Sequence, residues 1–275
     1  MKVLKQLFDF YLNSSIHVAL AVCCLTYITI INFNLPKDKN LIFFIFFATI
    51  TGYNFVKYFG MAKFHHRHLS SGLKLIQVFS LSCFIVLMYF LFQLKEKTIL
   101  YLGGLGVITF FYAIPFLPKR IFTSGSKNLR AIAGLKIYII AFVWAATAVI
   151  IPLINDDHII KYDQFLWAIQ LFLYVLVAVL PFEIRDIQYD SLKLLTIPQK
   201  IGIKRTKLIG ALLLIPFFLI EFMKDDIGYQ NVLITAIIAL ITLFFLLLSK
   251  VTQSQYYASF FVEGIPMIWL LLTLL

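Results

Sequence analysis

The chain is 275 residues long, 61% hydrophobic and only 13% charged, with a formal net charge of +11 at pH 7. A soluble domain carries about 25% charged residues, so this chain cannot face water on all sides, and lipid must solvate much of its surface. Lipid admits only helices or closed barrels as spanning structures, and the near-continuous apolar runs, without the alternation of barrel strands, leave an all-α polytopic membrane protein.

Residues 1–14 read as an amphipathic segment lying at the membrane interface, with Leu4, Leu7, Phe8 and Tyr11 on one side. Nine runs of about the twenty apolar residues that a span needs then follow. They are expected at 15–35, 40–57, 73–94, 98–117, 135–154, 163–182, 207–223, 231–248 and 256–275, joined by short connections within a single domain, 1–275. Cys23, Cys24 and Cys83 lie inside apolar runs without CxxC spacing, which predicts buried small hydrophobes rather than disulfides or zinc. After the second run, His65, His66 and His68 fall in a basic loop that suits a headgroup-facing surface. In the fourth run, Gly103, Gly104 and Gly106 predict close helix packing.

The basic residues orient these runs. Eighteen of the 24 Lys and Arg fall on the N-terminal side of the alternating spans and six on the other. The positive-inside rule then places the N-terminus in the cytoplasm and the C-terminus outside. Acids run the other way, with Asp38, Glu96, Asp156, Asp157, Asp163, Glu221, Asp225 and Asp226 on the outer side or its interface. The inner side concentrates its acids in one place, where Pro181-Phe-Glu-Ile-Arg-Asp-Ile-Gln-Tyr-Asp closes the sixth run. Glu183, Asp186 and Asp190, at i, i+3 and i+7, would share a helix face. Crowded carboxylates repel unless a cation compensates, and oxygen ligands of this kind suit Mg²⁺ beside phosphate oxygens. Salt bridges to Arg185 or Lys193 at a solvated helix end are the structural alternative. In the ninth run Glu263, followed by Gly264 and Pro266, is the costliest buried acid and has no assigned role. The positive balance suits anionic lipid and a substrate diphosphate rather than nucleic acid.

Asp186-Ile-Gln-Tyr-Asp190, trailed by Thr196-Ile-Pro198 and Gly202, resembles the second DxxxD motif of the UbiA superfamily of intramembrane prenyltransferases. The likeness extends to Tyr112-Ala-Ile-Pro115, Lys119, Arg130, Gly134-Leu-Lys136 and Trp144, and covers essentially the whole chain. It implies a nine-helix UbiA-like bundle with Asp-rich motifs at the cytoplasmic ends of helices two and six. The family's first motif is NxxxDxxxD. Here Asn54 supplies the Asn, while Tyr58 and Ala62 stand at both Asp positions.

The resemblance further implies a Mg²⁺-dependent transferase of a bacterial-type inner membrane. Such an enzyme moves an isoprenoid group from a prenyl diphosphate to an aromatic or lipid acceptor. Asp186 and Asp190 would then be catalytic and, with Glu183, metal-holding. Asn54, Lys57, Tyr58, Tyr112, Lys119, Arg130, Lys136 and Lys193 would bind substrate. Lys57 can stand in for a missing metal as a point charge, or simply anchor the helix at the headgroups. Tyr53, Tyr58, Tyr112, Tyr174 and Tyr189 could surround a prenyl tail or belong to an interfacial belt. Two other readings are a UbiA-fold protein that binds polyprenyl lipid without transfer, and an ion-coupled transporter.

Overall fold

The computed structural model describes residues 2–64, 71–114, 134–188, 196–225 and 228–275. Every regular element among the described residues is helical. In chain order these are α1 (Lys2–Asn13), α2 (Ile16–Asn32), α3 (Lys39–Phe64), α4 (Ser71–Leu91), α5 (Glu96–Ala113), α6 (Leu135–Ala145), α7 (Ile151–Asn155), α8 (Tyr162–Asp186), α9 (Ile197–Ile201), α10 (Ile203–Leu219), α11 (Tyr229–Leu248) and α12 (Ile265–Leu274). A π-helical turn, Ala146–Ile150, links α6 to α7, and another, Tyr257–Val262, precedes α12.

Seven segments among the described residues are long and apolar enough to cross a membrane: Lys39–Tyr58, Gly72–Leu91, Leu135–Asn155, Tyr162–Asp186, Ile203–Met223, Tyr229–Leu248 and Tyr257–Leu274. An eighth arises if Val3–Asn13 and Ile16–Asn32, which meet at 52°, form one bent span. The remaining run of the expected nine coincides with α5, which falls short because Glu96 and Lys97 open it and three glycines dilute its middle. The chain is an integral membrane protein of the all-α class.

Between helices in lipid, close packing and polar contacts replace the hydrophobic drive of soluble cores. α8 is the central element, packed on α6 and α10, while α2 packs on α3 and α12. Trp269 of α12 receives Trp167 and Tyr174 of α8 and Phe217 of α10 edge-on, at centroid distances of 5.4, 5.3 and 5.9 Å. Such contacts contribute about 0.5–1.5 kcal/mol each beyond burial. The close approach falls at a glycine other than the three expected. A Cβ on Gly103, Gly104 or Gly106 would meet nothing within 4 Å, because that side of α5 faces away from the bundle. At Gly210 it would meet Leu246 Cδ2 at 2.5 Å and Leu180 Cδ1 at 2.7 Å, so this residue lets α10 seat against α11 and α8.

The N-terminal segment divides differently from its expected single face. Leu4 and Leu7 are exposed, whereas Phe8 packs on Tyr256 and Phe260 and the Tyr11 hydroxyl bonds His17 Nδ1 at 2.7 Å. At the bundle end holding the α2–α3 and α8–α7 connections, the acids are used in structure. Asp38 accepts from the Asn40 backbone N–H at 2.8 Å and from Asn155 Nδ2 at 2.9 Å, and Lys95 pairs with Asp157 at 2.7 Å.

Candidate functional site

A cavity of about 310 Å³ lies at the other end of the bundle, within the size range of small-molecule sites. One face of α8 forms its floor. Val175, Val179, Phe182 and Asp186 recur at helical spacing, with Ala178 and Glu183 beside them. Pro181 removes one backbone donor in this last stretch, and its carbonyl accepts from Gln253 Nε2 at 2.9 Å. α8 ends at Asp186, so the expected three-carboxylate helix face reduces to Glu183 and Asp186 on regular helix; Asp190 lies outside the described residues.

These two carboxylates have different surroundings. Glu183 is buried and pairs with Lys136 of α6 at 2.6 Å, both side chains being largely shielded. That bridge fixes α6 to α8 at the cavity wall, and removing either partner would strand a buried charge. Asp186 Oδ1 accepts from Arg185 Nε at 2.8 Å, and Arg185 reaches on to Ser259 Oγ at 3.3 Å. Arg185 thereby ties the end of α8 to the π turn before α12.

The α3 wall contributes Tyr53, Val56 and Lys57. Lys57 keeps accessible area although protein encloses it, because it faces the cavity; its ammonium donates to Ser15 Oγ at 3.0 Å. Asn54 points elsewhere. It is buried, accepts from Ser15 Oγ at 2.9 Å and donates to the Ser14 carbonyl at 3.0 Å, locking α3 to the α1–α2 junction where Ser15 adopts φ 66°. Tyr58 likewise donates to the Asn13 carbonyl at 2.9 Å. Two positions of the expected Asp-rich motif therefore hold the junction and do not line the cavity.

Above this charged rim the lining turns aromatic, with Tyr112 of α5, Trp144 of α6, Tyr53 of α3 and Tyr174 of α8. Trp144 Nε1 donates to the Tyr53 hydroxyl at 2.6 Å, fixing both rings. From the last span come Val262, Glu263 and Pro266. The π turn inserts an extra residue, seen in the Glu263 N–H bonding the Ala258 carbonyl five residues back at 3.1 Å. His17 Nε2 meets the Phe260 carbonyl at 2.9 Å and holds the turn open, while a Cβ on Gly264 would sit 2.7 Å from that carbonyl oxygen.

Of the residues singled out in the sequence, the fold brings Lys57, Tyr112, Lys136, Glu183 and Asp186 to one cavity and leaves Asn54 and Tyr58 off its lining. Lys119, Arg130, Asp190 and Lys193 lie outside the described residues, as do His65, His66 and His68. Arg185 and Glu263 join the lining without having been site candidates. The local signal for Glu263 was an acid in an apolar run followed by Gly264 and Pro266. Arg185 offered no signal beyond its neighbours.

The donor set bears on Mg²⁺, which characteristically takes one or two carboxylates plus substrate phosphate oxygens. Among the described residues no group of three or more His, Cys, Asp or Glu converges. Asp186 keeps Oδ2 without a partner among the described residues, and Glu183 stands one turn back. Among the described residues the α8 wall therefore offers such an ion one carboxylate, Asp186, while Glu183 is held by Lys136. The α3 wall, with Lys57 facing the cavity, offers a fixed positive charge in place of a second carboxylate set.

No protein-family model and no curated protein matches the sequence. Solved structures match the fold. An apo UbiA homolog from Aeropyrum pernix superposes with TM-score 0.63 at 13% identity, over 94% of this chain and 98% of that one. A UbiA homolog from Archaeoglobus fulgidus bound to GPP and Mg²⁺ gives 0.61 at 13% identity, over 95% and 98%. A digeranylgeranylglyceryl phosphate synthase structure gives 0.56 at 15% identity, over 98% and 97%. Near-complete coverage in both directions identifies this bundle as the UbiA fold.

Proposed function

We propose that this UbiA-fold chain is a prenyltransferase, moving an isoprenoid group from a prenyl diphosphate to a lipophilic acceptor within the membrane. The observation that carries the reading is the cavity itself, where a rim of Lys57, Lys136, Arg185, Glu183 and Asp186 opens onto an aromatic chamber. A prenyl diphosphate has the same polarity, anionic at one end and apolar at the other. The matching Archaeoglobus fulgidus homolog is bound to GPP and Mg²⁺, which supports the same ligand class here. The charge asymmetry of the loops supports a cytoplasmic N-terminus and an external C-terminus, and the UbiA resemblance with the short connections suggests residence in a bacterial-type inner membrane.

In this reading Lys57 and Arg185 meet the diphosphate oxygens, the latter as a planar donor already aimed by Asp186 and Ser259. Lys136 holds Glu183 and adds positive charge to the same wall. Asp186, with Asp190 four residues on, would hold Mg²⁺, which supplies further charge to offset the departing diphosphate. Tyr53, Tyr112, Trp144 and Tyr174 enclose the allylic group, exclude water and present ring faces to developing positive charge. Electrostatic stabilisation of the leaving group is the main catalytic contribution.

The substituted first motif favours a second reading, a polyprenyl-lipid binder without transfer. One experiment separates them. Purified full-length protein in detergent receives Mg²⁺, labelled prenyl diphosphates of several lengths and a membrane lipid extract as acceptor. Diphosphate release, reduced by about two orders of magnitude in Asp186→Asn, supports transfer. Retained binding with no release at any chain length supports the binder.

A further inference from the structure

Among the described residues three carboxylates face the cavity, and two of them have a cationic partner: Glu183 has Lys136, and Asp186, through one oxygen, has Arg185. The Glu263 side chain makes no hydrogen bond and no ion pair within 4 Å with any described residue. It nonetheless lies within a membrane bundle, where a carboxylate with no partner among the described residues is costly. The local backbone is arranged around this residue. The π turn adds the residue that turns Glu263 inward, Gly264 leaves room for the Phe260 carbonyl, and Pro266 restarts the helix without needing a donor.

Its electrostatic neighbours define its depth. Lys57 of α3 and Arg185 of α8 from the charged rim, and Tyr53 and Tyr174 from the aromatic lining, share the cavity with Glu263 and are close enough to act on it electrostatically. Glu263 thus sits where the charged rim gives way to the aromatic chamber. A prenyl diphosphate seated by polarity places its C1–oxygen bond at that boundary.

We propose that Glu263 is the proton-accepting group for the acceptor, and that the acceptor presents an uncharged hydroxyl there. The inference rests on the transferase reading above. As the C1–O bond breaks, its electron pair leaves with the diphosphate. A lone pair of the acceptor oxygen forms the new bond to C1, and the hydroxyl proton passes to the Glu263 carboxylate, so atoms and charge balance. A carboxylate or phosphate placed directly against Glu263 would be repelled, so the group that the acceptor presents to it is the uncharged hydroxyl of an alcohol or phenol.

The test uses the full chain in detergent with Mg²⁺, labelled geranyl diphosphate and membrane lipid extract, comparing wild type, Glu263→Gln and Glu263→Asp. Glu263→Gln should bind geranyl diphosphate within about threefold of wild type, with unchanged KM, while kcat falls by about 10²-fold or more. Glu263→Asp, which keeps a carboxylate, should recover at least about a tenth of the wild-type kcat. Turnover of Glu263→Gln at near the wild-type rate overturns the proposal, as does loss of geranyl diphosphate binding in both variants, which would put the carboxylate in the diphosphate site or the packing. Wild-type protein that releases no diphosphate from geranyl diphosphate, nor from any other chain length in the assay above, overturns the transferase reading and this one with it, an outcome distinct from active wild type with active Glu263→Gln.

Discussion

Two glutamates in the last third of the chain, Glu221 and Glu263, lie inside the same bundle near opposite ends. Glu221, closing the span of α10, receives Lys224 at 2.7 Å, Gln170 Nε2 at 2.9 Å and Thr235 Oγ1 at 3.3 Å, all on one carboxylate oxygen. Lys224 also lies over the Trp167 ring at 5.1 Å, while the second carboxylate oxygen, Oε1, is buried with no hydrogen-bond partner among the described residues. Glu263 has the same side chain but is half-buried rather than fully buried, because its neighbours stop short and open space lies in front of it. A buried acid surrounded by its own partners joins helices. One left facing a cavity is available to a ligand. Residue type cannot separate these roles; what stands across from the carboxylate does.

The contrast can be broken most forcefully at the closed end. Glu221→Ala strands Lys224 and Gln170 and should cost about 3 kcal/mol, a marked fall in thermal midpoint in detergent, with geranyl diphosphate affinity unchanged. Glu263→Gln should leave that midpoint nearly unmoved, since no partner is lost. Equal destabilisation by the two substitutions would erase the distinction. A smaller effect is expected at the cavity rim. Lys57→Met keeps the apolar stem and removes one charge-assisted contact, so geranyl diphosphate affinity at fixed salt should drop about tenfold, or about 1.4 kcal/mol. Affinity equal to wild type would confine Lys57 to its bond with Ser15.

Least should follow at the exposed loop pair. The hydrogen bond from Lys95 holds the Asp157 carboxyl below the ordinary carboxylate range. A lowered folded pKa gives stability that is present above the unfolded value and lost as pH falls through the folded one. Because the pair is solvent-exposed and screened, Asp157→Asn at neutral pH should leave the thermal midpoint indistinguishable from wild type. A clear shift would mean that this end is held by its surface charges rather than by the buried contacts of Asp38, Asn155 and Glu221.

Much of the fold was legible because lipid imposes a coarse rule. Long apolar runs must be helices, and runs such as 163–182 and 231–248 recur as α8 and α11 within a few residues. Site legibility was mixed. Asp186 and Glu183 carried a spacing and Lys136 a flanking pattern, and all three reach the cavity. Asn54 carried a motif position yet holds the α1–α2 junction, because Ser14 and Ser15 happen to lie within its reach. Gly103, Gly104 and Gly106 formed the more suggestive cluster, but the helix approach uses Gly210, whose importance comes from Leu180 and Leu246 in other helices.

The amino-acid order settled the properties that depend on near neighbours: helical class, membrane solvent, the placement of charge along the chain and the acid-rich close of α8. These follow from local hydrophobicity and i, i+3 and i+4 spacing, which need no knowledge of distant residues. Folding alone decided that Arg185 reaches Ser259, that Lys57 faces inward, and that Glu263 lines a cavity with no partner among the described residues. Each is a relation between residues tens to hundreds of positions apart, and only the packing of one helix against another brings such groups within bonding range or holds them just beyond it.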